Sequence, residues 1–179
     1  MTKKRITEIK KHLDNIDQNE KVSNEYIEKY LLPRVRDRFK SCGYPKSSKN
    51  KNFVLEYIDM IFETQDYRCT HWIRSDKGEI NGVWNRPGHG WQNSWIIYEV
   101  DHILPVSAGG KDRLENFQFI SSNANQMTKC SMPYKLFLKR NDISEKAKNR
   151  VHSVLKRKCN LYVSEKWKNY IKKLNDYEK

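Results

Sequence analysis

The 179-residue sequence lacks any apolar run near the roughly 20 residues that a membrane-spanning helix needs. Its N-terminal stretch, MTKKRITEIK, is charged and helically periodic, so it does not have the pattern of a secretory signal. Cysteine is also scarce, and the four that are present, Cys42, Cys69, Cys130 and Cys159, are scattered along the chain. These absences argue against a membrane protein and against a disulfide framework, and they favour a reducing, cytoplasmic setting.

Acidic residues are few relative to basic ones. The chain carries 22 Asp and Glu against 35 Lys and Arg, which is a formal net charge of +13. A surplus of this size favours a polyanionic partner such as DNA, RNA or an acidic membrane surface, and a basic protein without such a partner is the alternative. The hydrophobic fraction of 37% is sufficient for one modest core, and the length fits one domain with helical extensions.

The N-terminal third has the periodicity of amphipathic helices. Apolar residues recur every three or four positions over residues 6–16, 26–31 and 53–62. Pro33 is expected to break or kink the second of these helices, because it lacks a backbone N–H and its ring clashes with the preceding turn. The segment 41–51 contains Gly, Pro, Ser and Lys but no acidic residue, and it is predicted to be a loop.

The centre of the sequence changes to the pattern of strands. SDKGEINGVW (75–84) has the Gly-containing turn of a hairpin, and SWIIYEVD (94–101) and NFQFIS (116–121) are rich in β-forming residues. Helical periodicity then returns, and Ser144 is a candidate cap for the first of two C-terminal helices. The spacing of the second predicts one apolar face, formed by Trp167, Tyr170, Ile171 and Leu174. Residues 139–179 contain 13 basic and 5 acidic residues, so this segment carries +8 of the net charge.

Polar residues gather at the end of the strand that contains EVDH. Asp101 and His102 are adjacent, and adjacent side chains point to opposite faces of a strand. Both can serve one site only if the strand ends there and the chain turns, which the segment 105–110 would allow. Asn116 precedes the next strand, and Asn125 lies in the helix that is expected to follow. Taken singly, each has an ordinary structural explanation, as a hydrogen-bonded histidine, a turn cap or a surface amide.

The segment EVDHILPVSAGGKDRLENFQFISSNANQMTK resembles the HNH nuclease family. An Asp-His pair is followed by a Gly-Gly turn, by an Asn before a second strand and by another Asn in a helix, at intervals that fit this family. The resemblance covers about 30 of the 179 residues. It implies an α+β protein with a ββα-metal (HNH) core over 65–138, an N-terminal helical region over 1–64 and a basic helical C-terminus over 139–179.

The resemblance also implies a role for each residue. His102 would be the general base that activates water, and Asn116 would hydrogen-bond the loop backbone and orient His102. Asp101 and Asn125 would hold a divalent cation, Mg²⁺ with Mn²⁺ able to substitute, because hard cations prefer oxygen ligands. One carboxylate and one amide form a small ligand set, so water and phosphate oxygens are expected to complete it.

Many members of this family also carry two cysteine pairs that hold a structural zinc ion. Here Cys69 matches the first position, but Trp72 stands at the second, and Ser121 and Ala124 stand where the other pair would be. A four-cysteine zinc site is therefore not available, and no structural zinc is expected. A different set would have to use residues whose spacing matches no known zinc motif, namely Cys69, His71, His89 and Cys130.

The family resemblance implies hydrolysis of double-stranded DNA to 5′-phosphate and 3′-hydroxyl ends. A stand-alone protein with short extensions looks most like a Type II restriction endonuclease of bacterial or phage origin, and a homodimer would supply one site for each strand. A homing or phage-encoded nicking endonuclease and a cytosine-modification-dependent nuclease are alternatives. A non-catalytic DNA-binding protein with a degenerate core is the alternative of another class.

Two regions are candidates for contacting DNA. The loop NRPGHGWQN has side chains that can reach base edges or stack, although a surface loop held by buried tryptophans explains it equally well. The basic C-terminus is the second region, and a solvated helical face is the alternative for it. The predicted contacts are Arg86, His89, Gln92, Lys129, Lys156, Arg157 and Lys158.

Overall fold

The computed structural model describes residues 25, 27–71, 73–74, 80–81, 98–121, 124–125 and 131–179. The predicted helix over 6–16 and the loop over 85–93 lie outside these residues. Within them the chain forms five α-helices and two antiparallel sheets of two strands each, so the described part is α+β, as the sequence predicts. Of the described helices, none has the length and apolar character to cross a membrane.

The first described segment is a π-helical turn, Ile27–Leu31, which continues directly into α1 (Leu32–Ser41). Pro33 lies in the first turn of α1, where the helix has no use for the missing N–H. The helix therefore does not end at Pro33, but its hydrogen-bonding pattern changes from π-helical to α-helical just before this residue. Further along, α1 buries Val35 and Phe39, which are one turn apart and face the core.

The predicted helix over 53–62 corresponds to α2 (Lys51–Thr64). Asn50 caps it, because its side chain accepts a hydrogen bond of 3.0 Å from a backbone N–H of the first turn. The segment before Asn50 is a connection between helices, as predicted. It is not fully exposed, however, since it contains a 3₁₀ turn, Ser47–Lys49, whose two serines are buried.

The four strands are β1 (Ile73–Arg74), β2 (Ile80–Asn81), β3 (Tyr98–His102) and β4 (Phe117–Ser121). Pairing of β1 with β2 confirms the hairpin predicted from the glycine-containing turn. Pairing of β3 with β4 joins the two segments that were predicted from their β-forming residues. In this second sheet, Asp101 lies opposite Gln118 and His102 lies opposite Phe117.

Both edges of the β3–β4 sheet are covered by side chains. On the β4 edge, the Gln65 amide accepts a hydrogen bond from Phe119 N at 3.1 Å and donates one to Phe119 O at 2.7 Å, as a neighbouring strand would. On the β3 edge, Arg34 and Arg38 of α1 donate to two backbone carbonyls. Backbone groups that a two-stranded sheet would otherwise leave without protein partners are thereby satisfied.

The C-terminal part consists of α3 (Tyr134–Phe137), α4 (Glu145–Val163) and α5 (Glu165–Glu178). The predicted cap at Ser144 is confirmed, since its hydroxyl accepts a hydrogen bond from the backbone of the first turn of α4 at 3.3 Å. Ser164 caps α5 in the same way at 3.3 Å. Two hydroxyl caps therefore fix where both long helices begin.

The main core joins α1, α2, α5 and the β3–β4 sheet. The face of α5 that its apolar spacing predicts is buried through Trp167, Tyr170 and Leu174, and Ile171 packs beside it. The Trp167 ring lies 6.3 Å from the ring of Tyr57 on α2, measured between centroids. A smaller cluster of buried residues lies between α3 and the first turns of α4. Ile103, the residue directly after β3, packs against this smaller cluster.

Candidate active site

The end of β3 opens into a pocket of about 430 Å³. The pocket is lined by Arg34, Asp37, Arg38, Glu99, Val100, Asp101, His102 and Asn125. It therefore brings together three of the four residues predicted for the site, Asp101, His102 and Asn125. Asp101 and His102 both line the pocket, although they are adjacent at the end of β3 and side chains alternate along a strand.

Asn116, the fourth predicted residue, lies at the base of the loop between the two strands. Its Oδ1 accepts a hydrogen bond from Leu104 N at 2.9 Å, and its Nδ2 donates to Leu104 O and to Lys111 O, both at 3.0 Å. Its backbone carbonyl accepts from Ile103 N at 2.7 Å. One side chain thus holds both ends of the loop that follows His102, and its effect on catalysis stays a prediction.

His102 contacts a carboxylate that sequence reasoning missed. Its Nε2 lies 2.6 Å from Asp112 Oδ1, and this hydrogen bond is the main reason why the pKa of Asp112 is lowered. The imidazole also packs on the Phe117 ring, with 4.8 Å between centroids. When Nε2 carries the proton that faces Asp112, Nδ1 is the basic nitrogen of the ring. Asp112 therefore selects the tautomer in which His102 can act as a base.

Asp101 is held by a chain of buried side chains. Gln118, its cross-strand partner, donates from Nε2 to Asp101 Oδ2 at 3.0 Å. The Gln118 Oε1 accepts from the Tyr134 hydroxyl at 2.8 Å, and His71 Nε2 lies 2.7 Å from the same hydroxyl. Gln118 and His71 are almost fully buried, and so is Tyr134 at the start of α3. The chain connects the pocket to the interior of the protein.

The direction of these hydrogen bonds follows from the chemistry of their ends. An ionised carboxylate only accepts, so the Gln118 amide must present its nitrogen to Asp101 and its oxygen to Tyr134. The single hydroxyl proton of Tyr134 is then used on Gln118, and the Tyr134 oxygen accepts from His71 Nε2. Every dipole in the chain consequently points its positive end toward Asp101, so the chain orients the carboxylate at its end.

Asn125 is held by a second carboxylate that sequence reasoning missed. Its Nδ2 donates to Glu99 Oε2 at 2.7 Å. Because the amide nitrogen faces Glu99, the amide oxygen is the end that remains for a metal ion. Glu99 and Asp101 are two positions apart on β3, so they lie on the same side of the strand. The Glu and the Asp of EVDH therefore share this site, although only the Asp-His pair was predicted for it.

The donor set of the pocket fits a hard divalent cation. Asp101 and Asn125 offer carboxylate and amide oxygens, and Glu99 adds a carboxylate beside them, whereas sulfur and a histidine cluster are missing from the pocket lining. The described residues contain no group of three or more His, Cys, Asp or Glu side chains arranged to hold a metal ion by themselves. A bound cation would consequently need oxygen ligands from water or from a phosphate.

Cys69, which matches the first zinc position of the family, is buried in the core. Its sulfur accepts hydrogen bonds from Ser121 N at 3.1 Å and His71 N at 3.4 Å, and burial raises the pKa of its thiol. The other two members of the alternative zinc set, His89 and Cys130, lie outside the described residues. In the described part, Cys69 acts as a packing residue that joins two backbone segments.

Lys158 was predicted to contact DNA, but its side chain is buried in the protein. Its side chain is 1% exposed, its Nζ lies 3.4 Å from Phe117 O, and burial lowers the pKa of its ammonium group to about 7. A phosphate cannot reach a buried group behind β4. Burial therefore removes Lys158 from the predicted DNA contacts.

The other predicted DNA contacts differ in what the structure shows of them. Arg157 donates to Thr64 O at 2.7 Å and pairs with Asp66 at 2.9 Å, so its guanidinium is occupied within the protein. Lys156 is exposed on α4. The remaining predicted contacts lie outside the described residues, namely Arg86, His89, Gln92 and Lys129.

Comparison with known proteins does not assign the chain to a family. No family model matches the sequence, and no curated protein gives a significant match. Any function must therefore be argued from the site itself. The pocket at the end of β3, the loop held by Asn116 and the buried chain behind Asp101 are the observations from which it can be argued.

Proposed function

We propose that the protein is a metal-dependent DNA endonuclease with an HNH mechanism and a ββα-metal core built on β3, β4 and the segment that contains Asn125. The observation that carries the proposal is that Asp101, His102 and Asn125 line one pocket, beside a loop held by Asn116. These are the residues in which the sequence resembles that family. The contacts of Asp112 and Gln118 add support, because each holds one of the two central residues in a defined orientation.

The chemistry suits a phosphodiester bond. Its anionic oxygens repel hydroxide, so an enzyme must deprotonate water close to the phosphorus, and imidazole exchanges protons near neutral pH. His102 acts as the base through Nδ1, while Asp112 stabilises the ring after it takes the proton. Asn116 keeps the loop that carries Asp112 closed against the end of β3.

Asp101 and Asn125 would hold the Mg²⁺ ion, with Glu99 beside them. A bound Mg²⁺ supplies charge neutralisation for the phosphate and for the leaving 3′ oxygen. Gln118 orients Asp101 from one side, and Glu99 orients the amide of Asn125. The protein thus positions oxygen ligands and a base around one point in the pocket.

The net charge of +13 favours double-stranded DNA as the substrate. A Type II restriction endonuclease would cut this substrate as a homodimer with one site for each strand, and this is the form of the activity that we propose. A homing or phage-encoded nicking endonuclease would act on the same bond as a monomer. Sequencing the ends of cleaved DNA distinguishes them, because a palindromic site cut symmetrically indicates a dimer.

A plasmid-nicking assay tests the proposal. We expect wild-type protein to convert supercoiled plasmid to open-circle or linear DNA with Mg²⁺ and not with EDTA, and we expect Asp101→Ala to abolish this. EDTA should leave the melting temperature unchanged, because no structural zinc is expected. DNA binding without any Mg²⁺-dependent cleavage would instead favour a non-catalytic DNA-binding protein.

A further inference from the structure

Two arginines of α1 line the pocket beside the predicted catalytic residues. Arg34 donates from one guanidinium nitrogen to Tyr98 O, and Arg38 donates to Val100 O at 3.4 Å. Positions i and i+4 advance about 6 Å along a helix, and positions i and i+2 advance about 6.8 Å along a strand. α1 therefore runs along the edge of β3 so that each arginine meets one outward carbonyl.

Each of these hydrogen bonds uses only one of the three nitrogens of an arginine guanidinium group. A guanidinium carries five N–H donors on three nitrogens in a planar fork, so a bond to one carbonyl leaves further donors directed away from the strand. The Arg38 guanidinium also lies over the Phe117 ring, with its central carbon 5.5 Å from the ring centroid. The carbonyls and the ring restrict where these forks can point, which is how a site for two oxygens of one phosphate group is organised.

The charges that line the pocket determine when it can accept an anion. Asp37, Glu99 and Asp101 face two guanidinium groups, so the lining has one negative charge in excess when His102 is neutral. A divalent cation among the carboxylates reverses this sign. The pocket then carries one positive charge, which a phosphodiester monoanion would balance.

We propose that Arg34 and Arg38 form a phosphate-binding subsite that holds the DNA backbone against the pocket when a divalent cation is present. The inference rests on the proposed function for the identity of the phosphate as a DNA phosphodiester. The two arginines replace the buried Lys158 as phosphate contacts. Because phosphate contacts carry no base information, the subsite strengthens binding to every sequence alike.

The experiment measures the affinity of a short duplex DNA in Mg²⁺, with His102→Ala as the background so that the duplex stays intact. Arg34→Gln and Arg38→Gln should each raise Kd by about tenfold or more, equivalent to about 1.4 kcal/mol and typical of a charge-assisted hydrogen bond. Lys49→Gln is the control, because Lys49 is an exposed cation that does not line the pocket. Its effect should stay within about threefold.

Folding is checked by the melting temperature of each variant, since both arginines also cap the β3 edge. If the Gln variants do not fold, Arg34→Lys and Arg38→Lys decide the question, because lysine keeps the charge but has no fork for a phosphate. We then expect a severalfold loss of affinity. Folded variants that bind DNA as tightly as the Lys49→Gln control would overturn the subsite.

The plasmid-nicking assay on wild-type protein keeps the two proposals separate. Nicking by wild type together with unchanged binding by the arginine variants would leave the nuclease and remove the subsite. Weakened binding by the arginine variants together with no nicking by wild type would leave the subsite and remove the nuclease. The pocket would then belong to a DNA-binding protein.

Discussion

At the scale of single residues, the contact between Asp112 and His102 leads to two predictions about the proposed cleavage. It lies ten positions after His102 and meets Nε2 only because the intervening loop folds back. We expect His102→Ala to lower cleavage by about 10² to 10⁴, the usual contribution of a positioned base. Nothing in this substitution removes a phosphate contact, so DNA affinity should change little.

Asp112→Asn should lower kcat by at least about tenfold, but by less than the roughly 10⁴ that a fully buried partner of a histidine base costs. The loss is smaller because the Asp112 side chain is 38% exposed, so water can replace part of its effect. Asp142→Asn, another surface carboxylate, is the control and should leave kcat unchanged. A kcat of Asp112→Asn equal to that of the control would show that Asp112 does not assist the base.

Lys158 leads to a prediction about stability and pH. Its pKa is about 7 in the folded protein and 10.5 when exposed, so the unfolded chain binds more protons between these values. The desolvation penalty is present in full below pH 7 and disappears as pH rises toward 10.5. Lys158→Met should therefore stabilise the protein at pH 6 by up to about 4 kcal/mol, allowing about 1 kcal/mol for the lost hydrogen bond.

Thermal unfolding of wild type and Lys158→Met at pH 6 and pH 10 checks this. The gain in melting temperature should be several degrees at pH 6 and should shrink at pH 10. Lys156→Met is the control, because Lys156 lies two residues before Lys158 on the same helix and its ammonium group is exposed. An equal gain at both pH values would show that the Lys158 ammonium group is not desolvated in the folded protein.

At the scale of elements, α3 is connected to the pocket through the Gln118 side chain, although no residue of α3 is in the described lining. Tyr134 begins this short helix and donates to Gln118, which in turn donates to Asp101. Tyr134→Phe removes that donor and frees the Gln118 amide to rotate. The Mg²⁺ concentration for half-maximal cleavage should then rise by about 10- to 100-fold, as is usual when a partner of a metal ligand is lost.

A purely structural role of Tyr134 would give a different result. Loss of packing would lower the melting temperature and the amount of active protein, but saturating Mg²⁺ would not restore the rate. We expect saturating Mg²⁺ to restore the rate of Tyr134→Phe, and DNA affinity in EDTA to stay unchanged. Tyr177→Phe, an exposed tyrosine on α5, is the control.

The elements themselves were largely predictable, because they depend on neighbours in sequence. The cap at Ser144, the buried face of α5 and the two strands around the loop all follow from local pattern. The partners of the site residues were not predictable in the same way. Asp112, Gln118 and Glu99 are common polar residues, and their contacts exist only after β3 and β4 have paired in one register.

At the scale of the whole molecule, two arginines of the basic C-terminus form ion pairs with the turn that follows α2. Two consecutive residues after α2, Asp66 and Tyr67, have positive φ angles of 55° and 54°, a conformation that costs energy for residues other than glycine. Arg150 and Arg157 of α4 both pair with the Asp66 carboxylate. Part of the +8 charge therefore holds this turn in place and is not available for DNA.

The charge count alone could not distinguish these two uses, because a cation that holds a turn and a cation that contacts DNA look identical in sequence. Lys156, Arg157 and Lys158 are consecutive, yet one is exposed, one is paired and one is buried. The spacing of α4 explains the difference, since successive residues lie about 100° apart around a helix. Only the residue on the outer face can meet a DNA phosphate.

Lys156→Gln and Arg157→Gln therefore form a matched pair, since each removes one positive charge from neighbouring positions. If α4 grips DNA, Lys156→Gln should flatten the slope of log K against log salt by up to about 0.9, the contribution of one phosphate contact. Its melting temperature should not change. Arg157→Gln should instead lower stability by about 1 to 3 kcal/mol, because it leaves Thr64 O without its guanidinium donor and Asp66 with Arg150 alone, and should leave the slope unchanged. Binding isotherms at several salt concentrations and thermal unfolding measure both. If both variants keep the wild-type slope, α4 covers the core and does not contact DNA.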